Sequence, residues 1–308
     1  MLYRIIEKKA LSSDGTHTLY GKVYIPKGKV RAIFQIAHGM AEHIERYHEF
    51  MAFLAENGFA AFAHDHIGHG KTGKAAGELG FIAEENGHEI LIEDVRAFAE
   101  SVKADFPGKK HILMGHSMGS FIARNYAARY GGELSGLVLM GTGGPNRATK
   151  AGLTVTRILA KNHGAHYVSA LIEKLAFGSY NNRTKKKTKF DWLSVNKENV
   201  SKYIADELCG FPFTVSAMHD LITLNALCNT KKWAKAMPKS LPIYLVSGGE
   251  DPVGEYGEGV KKVCRMLHLA GVKSAKIKLY SRARHEILNE ACYPIVCKDI
   301  LAFAEMVI

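Results

Sequence analysis

Apolar residues follow two different periods along the chain, and stretches with the two periods alternate. Short runs that are nearly all apolar, or that alternate with polar residues, are typical of strands. The predicted strands are residues 2–11, 18–25, 31–37, 59–63, 111–114, 134–140, 242–247 and 275–280. Apolar residues every three or four positions predict helices at residues 45–57, 89–106, 118–130, 255–270 and 292–307. This order predicts an α/β fold, with a mostly parallel central sheet and helices on both faces.

The alternation is interrupted over residues 143–240, where helical patterns are joined by basic loops. This segment holds 16 Lys and Arg residues against 6 Asp and Glu residues, and so carries +10 of the formal net charge of +11. Such an asymmetry indicates a distinct surface. We therefore predict a core of residues 1–142 and 241–308 and an inserted segment of residues 143–240.

Composition narrows the class of protein. Of the 308 residues, 47% are apolar and 23% are charged, which excludes a disordered chain and allows a substantial core. The N-terminus has charges where a signal peptide needs an apolar stretch, and no apolar run approaches the ~20 residues of a membrane span. We predict a soluble, cytoplasmic protein. Five cysteines without a C-x-x-C pair predict reduced thiols rather than disulfides or a zinc ribbon.

The sequence GHSMG at residues 115–119 matches the pattern G-x-S-x-G. It directly follows the predicted strand at 111–114 and opens the predicted helix at 118–130. A sharp strand-to-helix turn of this kind strains the serine backbone and raises the hydroxyl above the edge of the sheet. Ser117 is therefore the candidate nucleophile.

A serine hydroxyl needs a base that takes its proton as it attacks. On sheets of this kind the base is a histidine that comes last in the chain, after the serine and an acid. His285 follows the predicted strand at 275–280, whereas His268 lies inside a predicted helix. His285 is therefore the candidate base.

The acid is expected after the predicted strand at 242–247, where the sequence reads GGEDP. Asp251 is preferred to Glu250, because Pro252 holds the preceding residue in an extended conformation and aims a short carboxylate. Its role is to fix the imidazole tautomer and stabilise the imidazolium ion. The alternative role for Asp251 is a helix N-cap.

Acyl transfer also needs N–H donors for the oxyanion of the tetrahedral intermediate. One candidate is the backbone N–H of Met118, directly after the nucleophile. The other is expected in the loop after the strand at 31–37, which reads HGMAEH, and we choose the N–H of Met40. This chemistry needs no cofactor and no metal, and the sequence predicts neither.

Five segments of the sequence resemble the monoacylglycerol lipase and lysophospholipase group of α/β-hydrolases. They are HGMAEHIERY at 38–47, HDHIGHGKT at 64–72, GHSMGS at 115–120, SGGEDPVG at 247–254 and YSRARHEILNE at 280–290. The resemblance implies an α/β-hydrolase fold in which residues 143–240 form a helical cap over the active site. It also implies a catalytic triad of Ser117, Asp251 and His285, with Met40 and Met118 as oxyanion donors. One departure is Met40-Ala41, where family members often have glycine.

Two further clusters have more than one interpretation. His64, Asp65, His66 and His69 resemble a metal-binding cluster, but the family resemblance favours a structural loop beside the active site. The basic stretch at 183–189 is either a solvated loop or a contact for anionic lipid or an acidic substrate. Nucleic acid is not expected as a partner, because the aromatic residues that stack on bases are lacking.

The sequence thus predicts a serine hydrolase that cleaves carboxylic esters of single-chain acyl lipids, such as a monoacylglycerol or a lysophospholipid, through an acyl-enzyme. Apolar helical stretches in the inserted segment favour the lipid substrate. The alternatives are an esterase for small or aryl esters, an acyltransferase or a peptidase with the same triad. A metal hydrolase and a non-catalytic binding protein on the same fold are more distant alternatives.

Overall fold

The computed structural model describes residues 2–308 and contains an eight-stranded sheet. In chain order the strands are β1 (Tyr3–Leu11), β2 (Thr18–Pro26), β3 (Ala32–Ala37), β4 (Phe59–His64), β5 (His111–His116), β6 (Gly136–Met140), β7 (Ile243–Gly248) and β8 (Ala275–Tyr280). Their order across the sheet is β1-β2-β4-β3-β5-β6-β7-β8. The pairs β1–β2 and β2–β4 are antiparallel and the other pairs are parallel. The mostly parallel sheet predicted from the sequence is confirmed.

Helices cover both faces of this sheet and also form most of the segment between β6 and β7. They are α1 (His48–Glu56), α2 (Gly70–Ala76), α3 (Gly87–Lys103), α4 (Met118–Tyr130), α5 (Thr149–His163), α6 (Ala170–Phe177), α7 (Lys197–Ala205), α8 (Val215–Leu227), α9 (Lys231–Ala236), α10 (Glu258–Leu269) and α11 (Tyr293–Met306). Leu113 of β5 packs in the core under α3, α4 and α10, while Ile112 and Met114 pack in the core under α1 and α11. Because both faces of β5 are buried, its sequence is a continuous apolar run rather than an alternating one.

Most predicted elements lie within a few residues of the observed ones. The helix predicted at 45–57 is a 3₁₀ turn at Ile44–Tyr47 followed by α1. One prediction was wrong, because residues 64–80 are not a loop throughout. The histidine-rich segment after β4 contains the helix α2. The glycines in this helix are typical of loops, so the sequence pattern does not predict it. These glycines are needed because the helix packs closely on the chain before it: a Cβ on Gly73 would lie 2.6 Å from the carbonyl carbon of Gly68.

The inserted segment leaves the sheet after β6 and returns at β7, its parallel neighbour, and it contains α5 to α9. Arg124 of α4, fully buried, attaches this segment to the core. Its guanidinium donates to Thr142 Oγ1 at 3.3 Å and to the carbonyl of Gly143 at 3.0 Å, where the segment begins. It also donates to the Cys228 carbonyl and, at 2.9 Å, to Asn229 Oδ1, just before α9. The helix that follows Ser117 is thus hydrogen-bonded to both sides of the insertion.

Candidate active site

Ser117 lies in the turn between β5 and α4. Its φ of 53° and ψ of −120° are unfavourable for a residue with a side chain, and its N–H donates to the carbonyl of Met140 at 3.0 Å. The flanking glycines have no room for a side chain: a Cβ on Gly115 would lie 2.2 Å from the Gly119 carbonyl oxygen, and one on Gly119 would lie 2.1 Å from that of Ala37. The strained strand-to-helix turn expected from the G-x-S-x-G pattern is therefore present.

His285 and Asp251 lie next to each other in the loops that follow β8 and β7. His285 Nδ1 is 3.0 Å from Asp251 Oδ2, and both side chains are buried. Asp251 also accepts hydrogen bonds from Ser247 Oγ at 3.2 Å and from the N–H of Val253 at 2.9 Å. Burial acts to lower the pKa of His285, but the charge and hydrogen bond of Asp251 outweigh it and raise this pKa above its ordinary value.

Aromatic rings enclose the imidazole of His285. The ring centroids of His116 and Trp192 lie 4.7 Å and 5.1 Å from its own. Gly141 closes a third side, since a Cβ there would lie 3.0 Å from Cε1 of His285. Ser117 and His285 line the same cavity, and Asp251 is hydrogen-bonded to His285 behind it. Trp192 belongs to the inserted segment, and no pattern in the sequence marks it.

The two candidate oxyanion donors flank Ser117. The loop after β3 passes close to the serine: a Cβ built on Gly39 would lie 3.2 Å from Cβ of Ser117. Met40 lines the cavity, and Ala41 after it has a φ of 51°. Met118 is the first residue of α4, so its N–H has no acceptor within the helix.

A buried carboxylate, Glu42, supports this loop. Its Oε1 accepts hydrogen bonds from the N–H of Gly39 at 2.6 Å and from the hydroxyl of Tyr47 at 2.7 Å, and lies 3.2 Å from Nδ1 of His116. Burial acts to raise the pKa of Glu42, but the His116 contact and the charge of Arg46 hold this pKa well below its usual range. The sequence analysis missed Glu42, because its importance arises from neighbours that only the fold brings together.

Arg46 extends this network to the residue next to the candidate base. Its Nε donates to Glu42 Oε2 at 3.1 Å and its Nη2 donates to Glu286 Oε2 at 2.5 Å. Asn199 of α7 donates to the same Glu286 oxygen at 2.6 Å. The network therefore connects the loop that carries Met40, the loop that carries His285 and the inserted segment.

A cavity of about 770 Å³ lies between the core and the inserted segment, within the range of pockets that hold drug-sized ligands. The inserted segment supplies a largely apolar wall, which includes Val155, Ile172, Phe177, Phe211, Phe213 and Leu221. At the end near Ser117, the polar side chains of Glu42, His116 and Glu286 line the same cavity. The cavity therefore combines an apolar wall with a polar end at the candidate nucleophile.

The histidine-rich loop forms a buried cluster of rings beside this site. The ring of His66 lies 4.1 Å from that of His38 and 5.1 Å from that of His64, measured between centroids. His38 Nε2 accepts the backbone N–H of His66 at 3.0 Å, and its Nδ1 is 2.8 Å from the carbonyl oxygen of Gly39. Burial lowers the pKa of His64 to about 3 and that of His69 to about 4. These rings are therefore neutral at pH 7, and they pack against the start of the Met40 loop.

The mostly parallel sheet, its helical layers and a serine turn at the carboxyl edge of the strands define an α/β-hydrolase. The family model described as serine aminopeptidase, S33, matches residues 28–291. The chain belongs to this family, and the family predicted from the sequence is confirmed.

Known relatives give a more specific class. Human monoglyceride lipase is 28% identical over 282 residues, which are 91% of this chain and 83% of the relative. The monoacylglycerol lipase of Mycolicibacterium smegmatis is 27% identical over 286 residues, 91% of this chain and 90% of the relative. A thermostable carboxyl esterase from Bacillus coagulans, solved in complex with glycerol, superimposes with a TM-score of 0.94 at 32% identity and covers 98% of both chains. The protein is therefore a carboxylic ester hydrolase of the lipase and esterase type.

The length and apolar character of the helices bear on the predicted localisation. Within residues 2–308, none of the helices combines the length and the apolar character needed to cross a bilayer. The compartment stays a prediction.

Proposed function

We propose that the protein hydrolyses carboxylic esters of single-chain acyl lipids, such as monoacylglycerols or lysophospholipids, through an acyl-enzyme on Ser117. The observation that carries this proposal is the single cavity that joins Ser117 and His285 to a largely apolar wall. An apolar wall suits an acyl chain, and a few polar groups at the reacting end suit the ester and its alcohol. The relatives named monoglyceride and monoacylglycerol lipase support the same substrate class.

In the proposed mechanism, Nε2 of His285 takes the proton of the Ser117 hydroxyl as the oxygen attacks the ester carbonyl. Asp251 holds the imidazole through Nδ1, at 3.0 Å, and stabilises the imidazolium ion. The N–H groups of Met40 and Met118 receive the oxyanion of the tetrahedral intermediate. His285 then protonates the leaving alcohol, and a water molecule activated by the same imidazole hydrolyses the acyl-enzyme.

The polar end of the cavity favours a neutral alcohol. Glu42 and Glu286 both line it, while Arg46 is the cation held between them. Carboxylates accept hydrogen bonds from hydroxyl groups and repel a phosphate group. We therefore infer that glycerol-type head groups bind better here than anionic ones.

The substrate proposal is tested with a panel of glycerol and p-nitrophenyl esters of graded acyl length, together with lysophosphatidic acid. We expect kcat/KM to rise with acyl length, and kcat/KM for monoacylglycerols to exceed that for lysophosphatidic acid of the same chain length. A rate that is highest for acetate and butyrate esters would instead support an esterase for small esters.

A second experiment separates hydrolysis from acyl transfer. The acyl-enzyme is trapped and the acceptor is varied, because only an acyltransferase prefers an alcohol to water.

The pH dependence of hydrolysis follows from the raised pKa of His285. Only the neutral imidazole accepts the serine proton, so the rate is expected to fall as the pH drops through this pKa, with half-maximal kcat/KM at a pH above the ordinary histidine value of about 6.5. Asp251→Asn removes the charge that raises the pKa and leaves the burial that lowers it. We expect this variant to lose about 10⁴-fold in rate and to shift its acid limb to lower pH. An acid limb that does not move in the variant would argue against His285 as the base.

We also propose that the inserted segment is a cap that contacts anionic lipid surfaces. Leu171 and Leu175, four positions apart on α6, are 60% and 69% exposed, so they form an exposed apolar face on this helix. The basic stretch at 183–189 lies beside this helix, since Lys189 forms an ion pair with Glu173 at 3.4 Å. Exposed apolar side chains next to lysines are typical of segments that bind at a membrane surface.

Replacing the four lysines of this stretch, Lys185, Lys186, Lys187 and Lys189, by glutamine tests the contact with lipid. Each basic residue contributes at most about 1 kcal/mol near an anionic surface, so the four together contribute at most about 4 kcal/mol, and we expect vesicle binding to fall by about tenfold to 10³-fold. Binding and turnover are measured on anionic and neutral vesicles at low and high salt, with a soluble short-chain ester as the reference. The matched control carries the same change at lysines before β3 and β5, namely Lys27, Lys29, Lys109 and Lys110. Equal binding of wild type and variant to both kinds of vesicle would reduce the stretch to a solvated loop.

A further inference from the structure

His43, Asp206 and Cys209 place three metal-binding atoms together outside the candidate active site. One ligand atom from each side chain lies within 4.8 Å of the other two, and Nε2 of His43 is 2.9 Å from Oδ2 of Asp206. Among residues 2–308, no other group of three or more such side chains converges in this way. We propose that these three residues bind a divalent transition-metal ion of the zinc class, with water as the fourth ligand.

The donor set determines the class of ion. An imidazole nitrogen, a carboxylate oxygen and a cysteine sulfur form a ligand set typical of zinc, whereas calcium and magnesium prefer oxygen ligands alone. Zinc–ligand bonds of about 2.0–2.3 Å place tetrahedral ligand atoms about 3.3–3.6 Å apart. The present separations of 2.9 Å to at most 4.8 Å therefore need adjustments of about 1 Å, which side-chain torsions supply.

Asp206 and Cys209 come from one turn, directly after α7. The N–H of Cys209 donates to the carbonyl of Asp206 at 3.0 Å, and the N–H of Leu208 donates to Asp206 Oδ1 at 2.9 Å. This turn directs Oδ2 of the carboxylate toward His43, and the spacing D-x-x-C resembles the short C-x-x-C loops of zinc sites. Cys209 and His43 are buried, while the Asp206 side chain is 34% exposed. Asp206 thus leaves the ion a path from solvent and a position for water.

The charges around the thiol favour a cation. The carboxylates of Asp206, Glu42 and Glu286 and the guanidinium of Arg46 are the charged groups around this thiol. Three negative groups against one positive group attract a divalent ion. On binding, the metal–sulfur bond forms, the S–H bond breaks and one proton leaves to solvent.

A bound ion would join the core to the inserted segment next to the candidate active site. His43 follows the loop that carries Met40, and this loop already contacts the inserted segment: the N–H of Gly210 donates to the carbonyl of Ala41 at 2.9 Å, and the hydroxyl of Tyr203 donates to it at 2.8 Å. The ion replaces the direct His43–Asp206 contact by metal–ligand bonds at the same place. The site is therefore a regulatory or stabilising one, separate from the ester chemistry.

The test uses the full-length protein, reduced, freed of metal with a chelator and dialysed. We titrate Co²⁺ alone and record the thiolate-to-cobalt charge-transfer absorption, and we expect saturation at one ion per chain and displacement by Zn²⁺. Cys209→Ser is expected to abolish the band, and Asp206→Asn to weaken Co²⁺ binding by about tenfold or more. Cys264→Ser is the matched control, because Cys264 lies 4.0 Å from His268 Nε2 without a third ligand. This control is expected to keep the band.

Thermal denaturation provides a second measurement that does not depend on absorption or on catalysis. Zn²⁺ is expected to raise the unfolding midpoint of the wild type and of Cys264→Ser, and to leave that of Asp206→Asn nearly unchanged. Asp206 is only partly buried, with 34% of its side chain exposed, so this variant remains informative even if Cys209→Ser fails to fold. The proposal is overturned if the wild type gives no saturable band, if the band persists in Cys209→Ser, or if Zn²⁺ leaves the wild-type midpoint unchanged.

Discussion

Replacing Ser117 by alanine is expected to lower the rate of ester hydrolysis by about 10⁴–10⁶ and to leave the fold intact. Alanine keeps the Cβ and the strained backbone of the turn, but it offers no oxygen for the acyl-enzyme. The rate is measured with a p-nitrophenyl ester, and the fold is checked by circular dichroism and the thermal midpoint. A fluorophosphonate probe is expected to label the wild type at Ser117 and to leave the variant unlabelled.

Ser101→Ala on α3 is the matched control for this experiment. Its hydroxyl donates to the carbonyl of Phe98 within the same helix, and Ser101 is not among the residues that line the cavity. We expect this variant to keep full turnover and full labelling. Labelling of the Ser117→Ala protein, or turnover retained in it, would exclude the serine mechanism.

Acid is expected to unfold the protein because of its buried neutral histidines. Burial lowers the pKa of His64 and His111 to about 3, that of His69 to about 4, and those of His38 and His66 well below the ordinary value. In the unfolded chain these groups gain protons near pH 6.5, whereas in the folded protein they stay neutral. Stability is therefore complete above pH 6.5 and falls below it, by about 1.4 kcal/mol per pH unit for each such histidine.

At pH 5 each of these buried histidines lowers the free energy of unfolding by about 2 kcal/mol. The total free energy of unfolding of a typical domain is only about 5–15 kcal/mol. We expect urea midpoints to drop steeply between pH 6.5 and 5. His64→Phe is expected to reduce this drop, because the ring stacks on Phe98 at 4.9 Å and its nitrogens find no partner among residues 2–308. His163→Phe, at an exposed ring, serves as the control. An unchanged slope in His64→Phe would show that the histidine does not contribute to acid unfolding.

The residues that the sequence identifies as candidates share one property: each lies within a few residues of the carboxyl end of a strand. Ser117 is bounded by β5 and α4, so its turn is determined by residues within a short stretch of sequence. Asp251 and His285 follow β7 and β8, and a parallel sheet carries the ends of such strands to the same edge. Their meeting at 3.0 Å is therefore predictable from the order of the elements, without knowledge of side-chain packing.

The residues that the sequence does not identify depend on contacts between distant segments. Arg46 and Glu286 are separated by 240 residues, and neither lies in a local pattern that indicates a buried ion pair. Trp192 reaches His285 from the inserted segment, whose helices have no regular relation to the sheet. The α2 helix is concealed for a related reason, since its glycines serve tight packing and resemble loop residues in the sequence.

Substitutions at the two glycines on either side of Ser117 are expected to have much larger effects than substitutions in the wall of the cavity. Any side chain at Gly115 or Gly119 overlaps backbone atoms of the neighbouring elements, so almost every substitution there is expected to disrupt the serine turn. The apolar wall of the cavity, with Val155, Ile172 and Phe211, lies on helices and loops outside the sheet. Substitutions in this wall reshape the cavity and leave the serine turn in place. New ester preferences, whether arising in nature or from a randomised library, are therefore expected to accumulate in the inserted segment, while the turn stays invariant.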